Sequence, residues 1–156
     1  MILTPDYGQK NNIIKTNIEI ILRKVAAIIQ ARVGSNRLPN KVLADLNGQS
    51  LIEFLIKRVK KCNAIDEIFL ATTQKSEDDI LEKISQRLEI KCIRGSVNDV
   101  LARFLEITKQ TNAEILIRLT GDCPLLDPEL ILEIINDFKS NNYDYLSNCY
   151  PPTYPD

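Results

Sequence analysis

Arg32, Arg37 and Lys41 place three cations within ten residues, beside Gly34, the hydroxyl of Ser35 and Pro39. Positive charges crowded into one short segment repel one another unless an anion sits among them. The segment follows Val25–Gln30, an apolar run of strand type. Open α/β sheets place ligands beyond the carboxyl ends of their strands. The natural occupant is a polyanion, such as the phosphates of a nucleotide. By charge spacing alone, a solvated loop with scattered charges explains the segment equally well; its place after the first strand favours the cradle.

A second segment, Thr120-Gly121-Asp122-Cys123-Pro124, follows a later apolar run. Asp and Gly are ordinary turn residues. Asp127-Pro128 already explains the helix start that follows, which leaves Asp122 for another purpose. A carboxylate at a strand end beside phosphates suits Mg2+, which keeps most of its waters and takes one or two carboxylates plus phosphate oxygens. Gly95-Ser96 could lend amides or a hydroxyl to a ligand, although helix capping is the simpler reading. Thr72-Thr73 is equally ambiguous. Glu77, Asp78 and Asp79 suit the first turn of a helix, where acids complement the dipole, and receive no catalytic role.

The chain contains no histidine, which excludes Ser-His-Asp triads and imidazole ligands. Neither GxxxxGK[ST] nor GxGxxG occurs, so the first loop is not a Walker site or a dinucleotide fingerprint. Cys62, Cys92, Cys123 and Cys149 form no CxxC pair. They read as reduced, mostly buried thiols rather than a zinc cluster. Cys123 stands out because it follows Asp122, but a nucleophilic thiol needs a nearby base.

Positioning these groups requires regular elements, and the apolar pattern supplies them. Strands are expected at Val25–Gln30, 67–71, 90–93, 115–119 and 143–147. Helices are expected at 50–61, 76–88, 97–108 and 128–138. Ser50 with Glu53 forms a capping box, Ser76 caps the second helix, and Asp127-Pro128 starts the fourth. The expected inward stripes are Ile80, Leu81, Ile84 and Leu88 in the second helix, and Val100, Leu101, Phe104 and Leu105 in the third. Alternating strands and helices imply a parallel sheet with right-handed crossovers. A doubly wound order 3-2-1-4 sets the loops after the first and fourth strands side by side. Residues 1–24 read as an N-terminal appendage, with 13–22 as a short helix or an extended arm. Residues 25–156 read as the nucleotide-binding unit.

A chain of 156 residues, 44% hydrophobic and 26% charged, is enough for one domain with a real core. A net charge of −1 argues against nonspecific nucleic-acid binding. No apolar run approaches the roughly 20 residues that cross a bilayer. No membrane partner is expected, and the expected compartment is the cytoplasm.

The segment IIQARVGSNRLPNKVL at 28–43 resembles the signature of the cytidylyltransferase family that activates acidic sugars. GSVNDVLARF at 95–104, IRLTGDCPLLDP at 117–128 and YPPTYPD at 150–156 agree with it. The spore-coat-polysaccharide (SpsF-like) branch is the most similar, related to acylneuraminate and 3-deoxy-manno-octulosonate cytidylyltransferases. The resemblance implies a three-layer, Rossmann-like (glycosyltransferase-A-like) nucleotidyltransferase fold with a mostly parallel sheet. It implies transfer of CMP from CTP to an acidic sugar, with Mg2+ and pyrophosphate release, for surface polysaccharide. By position, Arg32 and Lys41 grip the triphosphate, helped by Ser35 and Arg37, and Asp122 holds the metal. Ala31, Gly34, Thr73, Ser96 and Gly121 complete the implied nucleotide contacts.

Two departures accompany the resemblance. Asn40 stands where the family usually has Gly, a tolerable change if that position needs positive φ. The chain also stops inside a motif that, in the family, continues into a second half. That half is expected to carry much of the sugar pocket, a second metal carboxylate and the usual homodimer surface. Two other readings stay open: a nonenzymatic nucleotide-binding remnant, and a related sugar nucleotidyltransferase that uses another nucleotide.

Overall fold

The computed structural model describes residues 2–3, 23–35 and 38–149. Six strands, β1 (Ile2–Leu3), β2 (Val25–Gln30), β3 (Glu67–Thr73), β4 (Lys91–Gly95), β5 (Ile115–Thr120) and β6 (Tyr145–Leu146), form one sheet in the order β4-β3-β2-β5-β1-β6. β4, β3, β2 and β5 run parallel to one another. This is the expected 3-2-1-4 arrangement, an α/β fold with a mostly parallel sheet.

Helices α1 (Leu51–Val59), α2 (Asp79–Arg87), α3 (Val100–Gln110) and α4 (Pro128–Ser140) flank the sheet. Along β2 every residue from Val25 to Ile29 is fully buried, as a central strand covered on both faces requires. Ala27 and Ile29 pack with Leu55 of α1, Leu81 of α2 and Ile135 of α4. Ala26 and Ile28 face the other way, onto Phe104 and Ile107 of α3. Among the described residues, three helices therefore cover one face and α3 alone covers the other. Each buried Leu, Ile or Phe contributes about 1.5–3 kcal/mol, so the two layers hold the strand ends firmly in place.

Local chemistry starts α1 and α4 as expected. The Ser50 hydroxyl accepts from the Glu53 amide at 3.3 Å while Glu53 accepts from the Ser50 amide at 2.9 Å. Asp127 accepts from the Glu129 amide at 2.9 Å, with Pro128 in the first turn.

Several expectations are corrected. Ser76 does not cap: residues Ser76–Asp78 form a 3-10 turn, and α2 begins only at Asp79. In α2, Ile80 is exposed and Ser85 is buried. In α3, Leu101 and Leu105 are 65% and 54% exposed, while Arg103 and Ile107 are buried. The inward stripe of α3 is 100-103-104-107, with Val100 half-buried and the other three buried, at the helical i, i+3, i+4, i+7 spacing. Choosing the leucines put an arginine outside, and the helix instead turns that arginine inward. The last strand contracts to Tyr145–Leu146 and joins the sheet through Ile2–Leu3, which pairs antiparallel with both β5 and β6. The expected helix or arm at 13–22 and the motif at 150–156 lie outside the described residues. All four cysteines are free; only Cys62 is buried, and Cys123 and Cys149 sit exposed on loops. Among the described residues no helix is long and apolar enough to cross a membrane.

Candidate active site

The two chemistry-bearing loops leave the carboxyl ends of adjacent strands and are fastened to each other. The Gly121 amide donates to the Gln30 carbonyl at 2.8 Å. A Cβ on Gly121 would stand 2.7 Å from the Ala31 Cβ and 2.9 Å from the Gln30 oxygen, so only glycine lets the loops touch here. The Ala31 amide continues the ladder by donating to the Ala71 carbonyl at 3.1 Å.

The cationic loop then curls back on itself. The Val33 carbonyl accepts from both Ser35 and Asn40 amides, at 2.8 and 3.2 Å. Asn40 takes the left-handed conformation, with φ of 59° and ψ of 14°. That is the conformation for which Asn is the least costly non-glycine residue. The turn brings Lys41 back to face the second loop, where its ammonium pairs with the Asp122 carboxylate. Beneath the curl lies Asp78, fully buried. Its carboxylate accepts from the Val33 amide at 2.7 Å and from the Thr73 hydroxyl. The acid assigned only to a helix dipole is thus the pin under the first loop.

These elements surround a cavity of about 670 Å3. Ala31, Arg32, Ser35 and Lys41 line it from the first loop, and Gly121 and Asp122 from the second. Val97, Val100 and Arg103 close it from the α3 side, with Gln30 and Arg118 contributed by the strands. Three implied contacts are placed elsewhere. Gly34 packs against the Glu77 carboxylate, Thr73 is buried on Asp78, and Ser96 uses its hydroxyl to accept from the Asn98 amide. Asp99 rather than Ser96 caps α3, accepting from the Ala102 amide at 2.8 Å. Arg37 lies outside the described residues.

Gln30, Arg103 and Arg118 lie inside the segments that carry the resemblance, which imply no role for them. A signal existed for the last, since an arginine inside the otherwise apolar strand ILIRLT has no packing role to explain it. Arg103 is only 4% exposed. Burial pushes its pKa below the usual guanidinium value, and the nearby positive charge of Arg32 adds to this. One of its nitrogens donates to the Ser96 carbonyl.

Lys41, through its hydrogen bond and its charge, holds the Asp122 carboxyl below the usual aspartate value. The folded pKa is lower than the unfolded one. The pair's stabilisation is therefore fully present above the ordinary aspartate value and disappears as pH falls through the depressed one. In melts from pH 7 to pH 3, the gap between the parent chain and Asp122→Asn is expected to stay constant down to about pH 4 and then close. A gap independent of pH throughout would contradict the pairing.

Among the described residues no three His, Cys, Asp or Glu side chains cluster so as to hold a metal alone. Asp122 is a lone carboxylate with a 39% exposed side chain at the cavity edge. That donor set fits an ion shared with a phosphate ligand rather than a closed protein site.

A parallel sheet with its cavity where the loops after β2 and β5 meet is the arrangement that likeness to solved structures assigns to nucleotidyltransferases. The chain belongs to the cytidylyltransferase family, whose model matches residues 26–154. It is 37% identical over 134 residues to the spore coat polysaccharide biosynthesis protein SpsF of Bacillus subtilis, covering 82% of this chain and 56% of that one. A solved cytidylyltransferase from Leptospira borgpetersenii is 35% identical with a TM-score of 0.73, over 76% of this chain and 50% of that one. A CMP:2-keto-3-deoxy-manno-octonic acid synthetase solved with CTP is 28% identical with a TM-score of 0.67, over 76% and 48%. The chain spans about half the length of the curated relatives it matches.

Proposed function

We propose that this chain binds CTP with Mg2+ and is the nucleotide-binding part of a cytoplasmic enzyme that transfers CMP from CTP to an acidic sugar for surface polysaccharide. The observation carrying this reading is the convergence of Arg32, Ser35 and Lys41 on one cavity opposite Asp122. Support also comes from relatives, the names of which include a 3-deoxy-manno-octulosonate cytidylyltransferase.

In the reaction a sugar hydroxyl oxygen forms a bond to the α-phosphorus and gives up its proton to solvent water, the bond from that phosphorus to the oxygen bridging the β-phosphate breaks, and pyrophosphate leaves with that electron pair. Negative charge grows on the α-phosphate oxygens and the leaving group, so the catalysis needed is fixed positive charge and alignment. Arg32 and Lys41 supply the charge from a loop pinned at Val33, and the Ser35 hydroxyl adds a donor. Asp122 would hold Mg2+ together with phosphate oxygens. When bound, that ion neutralises phosphate charge and orients the triphosphate. Asp122 would hold the ion only when not paired with Lys41, which would leave the Lys41 ammonium available to phosphate.

Thermal shifts with CTP, UTP, GTP and ATP, each with and without Mg2+, test the reading. CTP with Mg2+ is expected to stabilise most, by about 2.7 kcal/mol at a hundredfold excess over Kd. No shift with any nucleotide would overturn it.

A further inference from the structure

Among the described residues, three buried polar atoms along the cavity wall have no hydrogen-bond partner: Oε1 of Gln30 and the Nε of both Arg103 and Arg118. Gln30 and Arg118 belong to the face of the sheet that α3 covers, and Arg103 comes from α3 itself. Ile28 of that face lies beside Arg118 in the β2–β5 register, and Gln30 lies beside Thr120. Folded proteins rarely leave such atoms unsatisfied, and a guanidinium can only donate. Arg118 makes no hydrogen bond or ion pair among the described residues, and Arg103 spends one nitrogen on the Ser96 carbonyl. Asp122, the carboxylate lining the cavity, is already held by Lys41. Away from the Lys41–Asp122 pair the wall therefore carries two guanidinium groups whose Nε atoms lack an acceptor, with Asp78 and Asp99 offsetting part of the Arg103 charge.

We propose that Gln30, Arg103 and Arg118 form a second anion subsite, separate from the triphosphate loop, that takes the carboxylate of the acidic acceptor sugar. This rests on the nucleotide reading above and adds the acceptor's place to it. The unsatisfied set asks for two acceptors and one donor. A sugar acid offers both, because its carboxylate oxygens accept from the two guanidinium groups and a neighbouring hydroxyl donates to Gln30. A phosphate ester dianion offers no donor to Gln30. In a 2-ulosonic acid the anomeric carbon bears both the carboxylate and the reacting hydroxyl. Clamping the carboxylate thus fixes the nucleophile one carbon away, which is the positioning an in-line attack needs.

The test is calorimetric titration of the full chain, saturated with CTP and Mg2+, with 3-deoxy-manno-octulosonate, its methyl ester and orthophosphate. The acid is expected to bind, with the uncharged ester at least about tenfold weaker. Arg118→Met should weaken the acid by about tenfold or more, and Arg118→Lys should recover only part of this. Because Arg118 makes no hydrogen bond or ion pair among the described residues, both variants should fold, and their CTP affinity should stay within about twofold of the parent. Equal binding of acid and ester, or displacement of the acid by an equal concentration of orthophosphate, would overturn the proposal. So would a loss of CTP affinity in Arg118→Met as large as in Arg32→Ala, which would assign these groups to the nucleotide. Retained CTP binding with no sugar binding sinks the subsite alone, whereas absent CTP binding sinks the nucleotide reading itself.

Discussion

Lys41→Ala is expected to weaken CTP–Mg2+ binding by roughly ten- to a hundredfold, the equivalent of about 1.5–3 kcal/mol for a charge-assisted contact to phosphate. The size follows from how the residue is delivered. Asn40 in the left-handed conformation turns the chain so that the next side chain faces the second loop. There the ammonium finds Asp122, a partner 81 positions further along the chain. In the ligand-free protein this is a half-exposed ion pair, which is worth only about 0–1 kcal/mol. The unliganded variant should therefore melt close to the parent, and the loss should surface on adding nucleotide. Lys41→Arg should recover part of the affinity but not all, because a planar fork replaces a compact charge in a cramped turn. Isothermal titration with CTP and Mg2+ measures all three proteins. Unchanged affinity in Lys41→Ala would remove the phosphate role from this residue and with it the central support for the proposed chemistry.

How far the sequence revealed this arrangement depends on the range of the interactions involved. The order of the parallel strands was legible because β2 is apolar at every buried position and crossovers have one hand. That alone puts Arg32, Lys41 and Asp122 at one end of the sheet. Asn40 was legible for a similar reason, since positive φ is a property of a single residue. The inward face of α3 was not. Leu101 and Leu105 are more apolar than Arg103, but the packed stripe is fixed by Phe104 and Ile107 against Ile28 and Phe69 of the sheet. Rotating the helix to bury the leucines would lift both aromatic and isoleucine out of that layer. Nor was the pairing of Ile2–Leu3 with β5 legible, because two residues carry no periodicity and their partners lie more than a hundred positions away. The polar wall of Gln30, Arg103 and Arg118 escaped for the opposite reason. Arg118 alone stands out in its segment; the register of β2 against β5 sets it beside Gln30, and the packing of α3 on that face adds Arg103.

Asp78 shows what such blindness costs, and its replacement carries the largest expected effect on the fold. Asp78→Ala should destabilise the protein by several kcal/mol, since a buried donor left without its partner costs about 1–3 kcal/mol and this carboxylate serves two. Those donors are the Val33 amide at 2.7 Å and the Thr73 hydroxyl, and neither has access to water as a substitute partner, Thr73 being 1% exposed and Val33 6%. Against a typical domain stability of about 5–15 kcal/mol, that is a large fraction. Nucleotide affinity should fall as well, although Asp78 does not line the cavity, because Val33 is the point about which the cationic loop curls. Asp78→Asn separates the two contributions. Its amide oxygen can still accept from Val33, so much of the stability should return. The lost charge should not, and the Asp78 carboxylate is one of the negative groups that favour the charged form of buried Arg103. Urea denaturation of the three proteins, read beside CTP titrations, distinguishes these effects. An alanine variant within about 0.5 kcal/mol of the parent would mean that the loop is held by its own backbone hydrogen bonds and that the buried carboxylate is incidental to it.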